Sequence, residues 1–342
     1  MAHKKQQTMP PPSNAPPPPS SSWVGRDSEL AVCVESILNH RLTTIGGRYG
    51  SGKSALAAKA TAYVRHHRKF DAVVWVEATT QERFFDDVIG AAAFINTSTL
   101  ADLASAGRVL VVLNDFERLV TAGDEQRARL LLQGLLESCS NVRVLLTCSS
   151  GSGIGLVRGV TEQVVALGPM APGDTALLLL QRCTELKRRV TNPYTPLPPK
   201  TAPHDVVVAC ALHPFIKRLN GLPYAVLLAV AILNTLFAAE KAEKEACEVA
   251  GACATPQPPS LEPLDRALRV LDEPEVFDSD LRRFRDELNY VVQYGRGYRP
   301  EPEPPEPSTP APEFRAQIPG GLVLAGLAAL VAGYALGRRG AK

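Results

Sequence analysis

The strongest chemical signal in the sequence is a glycine-rich segment, residues 47–54, that ends in a lysine and a serine. It reads Gly-Arg-Tyr-Gly-Ser-Gly-Lys-Ser and matches the pattern G-x-x-x-x-G-K-[ST]. Glycines allow backbone N–H groups to curl around phosphate oxygens, while Lys53 adds positive charge and the Ser54 hydroxyl is suited to bind Mg²⁺. The residues predicted to form the turn are Gly47, Gly50, Ser51 and Gly52. The segment therefore predicts a loop that binds the phosphates of ATP or ADP together with Mg²⁺.

A magnesium-nucleotide site also needs a carboxylate at the end of a neighbouring strand, and the residues after Val109–Leu113 supply candidates. In one register, Asn114 takes the magnesium position and Asp115 polarises the attacking water. In the other, Asp115 binds magnesium and Glu117 is the next carboxylate. A third interpretation is that Asp115 only caps the following turn. An amide binds magnesium less well than a carboxylate, so the first register predicts slow or absent hydrolysis.

Five short hydrophobic runs must position these residues. They alternate with stretches of helical periodicity, which predicts an α/β fold with a five-stranded parallel sheet covered on both faces. The runs are Leu42–Ile45, Ala72–Val76, Val109–Leu113, Val142–Thr147 and Gln163–Leu167. The helical stretches are Ser54–His67, Glu82–Phe94 and Glu125–Leu136. The phosphate-binding loop follows the first run and precedes a helix, as a P-loop NTPase requires, and we assign residues 23–168 to this domain.

Residues 169–295 contain no convincing strand, and we interpret them as a helical lobe. The predicted helices are Asp174–Arg189, Val206–Asn220, Tyr224–Ala239 and Leu261–Tyr294, the last interrupted at Pro274. The stretch Tyr224–Ala239 is strongly apolar but has only 16 residues. A membrane span needs about 20 residues, so we predict a buried core helix here.

The two ends of the chain differ from the rest in composition. Residues 1–22 form a proline-rich tail predicted to be disordered, and residues 296–317 form a linker rich in Pro and Glu. Residues 318–337 are 20 residues without a charge, followed by a basic tail at 338–342. This length predicts a single C-terminal transmembrane helix. Small residues recur at every fourth position along it, which would permit close helix packing.

The predicted span also suggests a location. The sequence has no apolar N-terminal signal, so we expect insertion after translation, with the nucleotide-binding domain in the cytosol. The predicted span is short and has a basic end, and in this it resembles the tail anchors of proteins in mitochondrial or peroxisomal outer membranes.

Composition limits the other function classes. The 342 residues are 45% hydrophobic and 21% charged, which suits about two globular domains rather than a wholly disordered or polytopic membrane protein. A net charge of +2 gives no reason to expect a specific nucleic-acid partner. The seven cysteines contain no CxxC pair, so we predict reduced thiols rather than a disulfide framework or zinc site.

Six segments in the same order resemble the NB-ARC branch of the STAND ATPases. Trp23–Leu30 is similar to the Val-Gly-Arg entry motif, and the phosphate loop and acidic strand follow. Val142–Ser149 resembles the sensor on the fourth strand, Leu167–Ala176 the junction to the helical lobe, and Asn220–Ala225 the Gly-Leu-Pro-Leu-Ala motif. The resemblance covers residues 23–239.

The resemblance implies roles for residues outside the loop. Adenine-side contacts would come from Val24, Arg26 and Pro223, and Thr147 would lie near the γ-phosphate. Cys148 stands where the family has a sensor arginine, and Asn114 stands where it has its first acidic-strand aspartate. Both departures fall at the hydrolysis machinery rather than at the nucleotide-holding parts.

The sequence thus predicts a membrane-tethered nucleotide switch with slow or absent hydrolysis. Exchange of ADP for ATP would change the angle between the two lobes and lead to self-association as a homo-oligomer. One alternative is an active ATPase that uses Asp115 and Glu117. A second alternative is a membrane adaptor that has lost nucleotide function and binds partners through its proline-rich ends.

Overall fold

The computed structural model describes the central part of the chain. The described residues are 17, 18, 20, 22–77, 107–117, 125–151, 153–155, 157, 159–191, 203–249, 261–273 and 278–295. The chain divides into units 1–298 and 299–342, and every described residue belongs to the first. The predicted helix at 82–94, the linker, the C-terminal span 318–337, the basic tail and nearly all of the N-terminal tail lie outside the described residues.

The α/β lobe contains a five-stranded parallel sheet with the strand order β2–β3–β4–β1–β5. Its elements are α1 (Asp27–Asn39), β1 (Leu42–Gly47), α2 (Lys53–His66), β2 (Ala72–Glu77), β3 (Val109–Asn114), α3 (Glu125–Ser138), β4 (Val142–Cys148) and β5 (Glu162–Leu167). Each strand lies within two residues of its predicted bounds, so the predicted five-stranded parallel sheet is confirmed.

Both faces of the sheet are covered because successive side chains of a strand point to opposite faces. On one face, alternate residues of β3 such as Val111 pack with Leu132 and Leu135 of α3. On the other face, the intervening residue Val112 joins a core that includes Leu56 of α2. A strand buried on both faces needs a continuous apolar run, which explains why five of the six residues of β3 are aliphatic.

The sheet order brings the predicted chemistry to one edge. Strand β4 lies between β1 and β3. Because parallel strands end at the same edge, the loop after β1 and the polar residues after β3 and β4 lie on that edge together.

The helical lobe follows β5 and has its own hydrophobic core. Its helices are α4 (Pro172–Arg182), α5 (Thr184–Thr191), α6 (Pro203–Leu212), α7 (Pro214–Arg218), α8 (Pro223–Val249), α9 (Glu262–Asp272) and α10 (Ser279–Tyr294). Residues 274–277, around the predicted interruption at Pro274, lie outside the described residues.

Two helices predicted to be continuous are each divided, and that part of the prediction was wrong. The predicted Asp174–Arg189 breaks at Cys183, whose φ of −107° and ψ of 88° are not helical. The predicted Val206–Asn220 breaks at His213, because Pro214 lacks an N–H group and disfavours a helical conformation in the residue before it. The imidazole of His213 then caps the new helix by accepting a hydrogen bond from the Phe215 N–H at 3.1 Å.

Helix α8 is longer than predicted and extends to Val249. Its Pro223–Glu245 segment is long and apolar enough to cross a membrane, with 44% of the most apolar window buried in the protein. The fully buried residues along it join the core of the helical lobe, and α8 contacts α10 and α4. They include Ala225, Val226, Ala229, Ile232 and Leu233. This packing supports the predicted core helix.

Candidate nucleotide site

The phosphate-binding loop connects the end of β1 to the start of α2. Gly50 and Gly52 have φ values of +77° and +94°, a left-handed conformation that glycine adopts without a steric penalty. A Cβ atom on Gly50 would lie 2.8 Å from Cβ of Tyr224. The glycines of the motif are therefore required both by the turn and by the close approach of the helical lobe.

Lys53 is held inside this loop. Its side chain is 6% exposed, and Nζ donates to the carbonyl oxygens of Gly47 at 3.0 Å and Arg48 at 3.3 Å. A carboxylate oxygen of Glu117 lies 3.8 Å from the same nitrogen. The loop thus concentrates a largely desolvated positive charge, which strengthens its attraction for an anion.

Ser51 provides a second feature that fits a phosphate. It is 2% exposed, and its buried hydroxyl has no hydrogen-bond partner in the described part of the protein. Leaving a buried hydroxyl unpaired costs about 1–3 kcal/mol, which a phosphate oxygen would offset by accepting its hydrogen bond. A Cβ on Gly47 would lie 2.9 Å from this Ser51 oxygen, so a larger residue there would fill the space. The donor set and the space fit a polyphosphate.

Ser54 lies in the first turn of α2, directly after Lys53, and is half-buried. The N-terminal end of a helix carries partial positive charge, and here it coincides with the loop. This is the position that the motif assigns to a magnesium ligand.

A hydrogen-bond network joins the ends of β2, β3 and β4. Asn114 is 4% exposed, and its Oδ1 accepts a hydrogen bond from the Thr147 hydroxyl at 2.9 Å. Its Nδ2 donates to Glu77 at 2.8 Å. The Thr147 hydroxyl in turn accepts from the backbone N–H of Asp115 at 2.8 Å. Thr147 therefore fixes the end of β3, in addition to the nucleotide role that the resemblance implies.

This network favours one of the two predicted registers. The amide oxygen of Asn114 already accepts from Thr147, and its nitrogen cannot bind a cation. Asp115 follows with φ of +56°, and Glu117 lies near Lys53. The arrangement favours the register in which Asp115 serves the metal and Glu117 is the next carboxylate.

Cys148 ends β4 beside this network and is 3% exposed. Burial, reinforced by the carboxylates of Glu117 and Glu162, raises the pKa of its thiol to about 11. A neutral thiol therefore stands where the resemblance would place a sensor arginine.

The helical lobe contacts the loop directly, which the sequence analysis did not predict in detail. The backbone N–H of Tyr224 donates to the Gly50 carbonyl at 3.1 Å, and the N–H of Tyr49 donates to the Gly295 carbonyl at 3.2 Å. The rings of Tyr49 and Tyr224 meet edge to face at 5.5 Å. These contacts, which we call the loop–lobe latch, attach two adjacent residues of the loop, Tyr49 and Gly50, to the helical lobe.

The latch is supported by the hydroxyl of the half-buried Tyr224. The Tyr224 hydroxyl donates to Glu287 of α10 at 2.5 Å. Burial, together with the Glu287 carboxylate, raises the pKa of the Tyr224 hydroxyl above its ordinary value. It therefore remains a protonated donor, and it connects the start of α8 to α10.

The residues predicted to contact adenine lie at two places. Pro223 is the first residue of α8, and its Cγ would be 3.6 Å from a Cβ on Gly52, so it lies beside the loop. Val24 is buried in the core of the helical lobe. Arg26 donates to the Gly168 carbonyl at 2.6 Å and to Glu29 at 2.8 Å, which ties the entry segment to the junction between the lobes.

The sheet order, the loop after β1 and the polar strand end after β3 together define a P-loop NTPase fold. Residues 41–185 match the family model of the NACHT domain. The predicted P-loop NTPase fold is thus confirmed, and the match over these residues is to the NACHT domain; the NB-ARC resemblance is not confirmed.

The chain is also similar to several known proteins. An uncharacterized protein of Mycobacterium tuberculosis strain H37Rv and one of Mycobacterium bovis are each 28% identical over 224 residues, which is 63% of this chain. The chain spans about half the length of these relatives, 52%.

Solved structures with similar architecture share little sequence with this chain. A Walker-type ATPase of Pyrococcus abyssi is 16% identical, with a TM-score of 0.44 over 75% of this chain and 80% of the other. Domain III of the replication initiation protein DnaA of Thermotoga maritima is 13% identical, with a TM-score of 0.41 over 72% and 94%.

Proposed function

We propose that this chain is a nucleotide switch in which the phosphate-binding loop holds ATP or ADP and the helical lobe responds to it. The observation that carries the proposal is the loop–lobe latch. The short turn that we propose binds phosphates is bonded to the helical lobe through Gly50 and Tyr49. A change in the loop therefore changes the contact between the lobes.

The energetics of such a switch are modest. Coupling between two sites in a protein is typically about 1–3 kcal/mol, and the latch supplies two backbone hydrogen bonds and one aromatic contact. If ATP and ADP differ in how they hold the loop, rearrangement of these few contacts is sufficient to shift the population of lobe orientations.

The roles of the nucleotide-holding residues follow from their positions. Lys53, Ser51 and the loop N–H groups bind phosphates, and Ser54 and Asp115 hold Mg²⁺, which neutralises phosphate charge. Pro223 shields the adenine side next to the loop, while Val24 and Arg26 fix the entry segment across the lobe junction. Thr147 orders the strand end that faces the γ-phosphate.

An active ATPase is the second candidate function. It is favoured by Glu117, whose carboxylate lies 3.8 Å from Lys53 and so faces the loop. This candidate requires measurable ATP turnover by the wild type that collapses in both Asp115→Asn and Glu117→Gln. Absence of turnover in the wild type excludes it and leaves the slow switch.

We further propose that residues 318–337 attach the switch to a membrane and that self-association is its output. The proposal rests on the length and uncharged composition of that segment. Fractionation of cells that express the full chain and a chain ending at residue 317 tests it. The full chain should resist extraction from membranes by alkaline carbonate, and the shortened chain should be released.

Hydrogen exchange of the full chain with ADP or ATP tests the switch. Peptides that contain the N–H groups of Tyr49 and Tyr224 should change protection together between the two nucleotides, because both groups bond across the latch. The exchange of α3, on the far face of the sheet, serves as an internal reference.

Two lysine variants control that experiment. Lys53→Ala should abolish the nucleotide effect, whereas Lys69→Ala, which removes an exposed lysine outside the site, should retain it. Protection at the latch that is identical with ADP, with ATP and without nucleotide would contradict the switch.

A further inference from the structure

A carboxylate that the sequence analysis did not single out lies in the strand-end network. Glu77 is the last residue of β2 and pairs with Asn114 in the register between β2 and β3. Its Oε2 accepts from Asn114 Nδ2 at 2.8 Å, and its Oε1 accepts from Trp75 Nε1 at 2.6 Å. Both oxygens of this side chain are thus used to receive hydrogen bonds.

Donor and acceptor roles in this network fix the direction of the Asn114 amide. An ionised carboxylate only accepts, so Asn114 must present its NH₂ group to Glu77. On the other side, the Thr147 hydroxyl accepts from the Asp115 N–H and gives its own proton to Asn114 Oδ1. The amide oxygen, the only side-chain atom of Asn114 able to bind a cation, is therefore turned towards β4, where it accepts the hydrogen bond from Thr147.

We propose that Glu77 is a positioning residue of the magnesium–nucleotide site, which acts by fixing the Asn114 amide so that position 114 offers no ligand to Mg²⁺. This inference rests on the proposed nucleotide function. Magnesium binding on the protein side then falls to Ser54 and Asp115. A site with an aspartate on β3 would have its carboxylate on that strand. Here the carboxylate, Glu77, lies on β2 and the amide, Asn114, lies on β3.

This arrangement can be reversed by two substitutions. In the double variant Glu77→Gln/Asn114→Asp, residue 77 accepts from Trp75 with its amide oxygen and donates with its NH₂ group to the new carboxylate, which also accepts from Thr147. Every donor keeps an acceptor. Asn114→Asp alone brings two carboxylates together where Asn114 now donates to Glu77. Glu77→Gln alone places the NH₂ group of residue 77 against the NH₂ group of Asn114, so that two donors face each other.

The experiment measures ATP affinity with and without Mg²⁺, and the melting temperature, for the full chain and these three variants. Each single variant should lower the melting temperature by about 2–6 °C, and the double variant should recover most of that loss. The gain in ATP affinity from Mg²⁺ should be about tenfold larger in the double variant than in the wild type, because a carboxylate now stands at position 114. Glu77→Gln alone should also raise the gain from Mg²⁺, because the Asn114 amide is then free to turn, whereas that gain would stay at the wild-type value if Glu77 only stabilised the fold.

The matched control makes the same exchange elsewhere: Glu35→Gln/Asn39→Asp alters two exposed residues of α1 and should leave both readouts at wild-type values. ATP binding with the same Mg²⁺ dependence in wild type and double variant would overturn the role of Glu77 alone. Absence of ATP binding by the wild type would overturn the proposed function and this role with it. A Glu77→Gln variant that melts like the wild type would also contradict the inference.

Discussion

The phosphate-binding loop and the strand-end network lie at the same edge of the sheet, yet they differ in how closely they follow the expected chemistry. The loop keeps every residue of its motif, with Lys53 buried among carbonyl oxygens and Ser51 unpaired. At the strand ends, Asn114 and Cys148 stand where the NB-ARC resemblance would place an aspartate and an arginine. The loop proposed to bind phosphates matches its motif in full, whereas the strand ends depart from the pattern that the NB-ARC resemblance implies.

This difference suggests that binding and hydrolysis are separable here. Binding needs N–H groups, a lysine and space, all of which the loop provides. Hydrolysis needs a metal ligand and a base at defined positions, and the network commits Asn114 to hydrogen bonds with Thr147 and Glu77, so that Asp115 and Glu117 are the candidates for those positions. Under the proposed switch function, the protein retains nucleotide rather than turning it over rapidly, and the ATPase candidate requires turnover through Asp115 and Glu117.

Breaking the loop should give the largest effect. Gly50→Ala forces a side chain into a left-handed conformation and against Tyr224, so we expect a loss of about 1–3 kcal/mol in the free energy of unfolding together with loss of the nucleotide response. Denaturant unfolding with and without ADP measures both.

The control for this variant is Gly134→Ala in α3, where nothing lies within 4 Å of the added Cβ. It should raise stability by about 0.5–1 kcal/mol and leave the ADP response unchanged. If Gly50→Ala and Gly134→Ala had the same free energy of unfolding and the same ADP response, the loop geometry would not be needed for either.

The strand-end side is probed by the buried thiol. The folded pKa of Cys148 is about 11, above that of an unfolded thiol near 8.5. The unfolded state therefore binds fewer protons between these values. The contribution of this thiol to the free energy of unfolding is fully present below pH 8.5. It is lost as the pH rises towards 11, by about 1.4 kcal/mol per pH unit.

In Cys148→Ala, the free energy of unfolding should fall less steeply with rising pH, because one thiol no longer titrates. Unfolding curves measured from pH 8 to pH 10.5 give this slope. The thiols of Cys33 and Cys210, with pKa values raised by burial to about 12 and about 11, keep the remaining slope. An unchanged slope in Cys148→Ala would mean that this thiol titrates normally and is not buried at the strand end.

The smallest expected effect concerns the latch. Tyr224→Phe removes the hydroxyl that donates to Glu287 and should cost about 1 kcal/mol in the free energy of unfolding, because one charge-assisted hydrogen bond is lost. Tyr63→Phe, whose side chain is exposed, is the matched control and should be neutral. Equal stability of the two variants would argue against the latch.

Much of the fold could be predicted from sequence because its determinants are local. Strands such as β3 are uninterrupted aliphatic runs, and the loop is a contiguous motif. The break at His213 was missed although Pro214 signals it, since helical periodicity on both sides masked the proline. The break at Cys183 has no comparable local signal.

The candidate site could be predicted only in part, for a related reason. The loop residues follow one another in the chain. Glu77, by contrast, meets Asn114 only through the register of β2 and β3, which are separated by 31 residues. The latch likewise depends on Gly295 and Gly50, which are far apart in sequence. Such contacts depend on tertiary packing, which spacing along the chain does not report.

The central claim is that the loop around Lys53 encloses a polyphosphate, and calorimetric titration of the full chain with ADP tests it most directly. We predict that the wild type binds ADP, that Lys53→Ala weakens binding by about 10–100-fold through loss of a charge-assisted contact, and that Lys69→Ala binds like the wild type. Equal ADP affinity in the wild type and in Lys53→Ala, or no binding by the wild type, would contradict the claim.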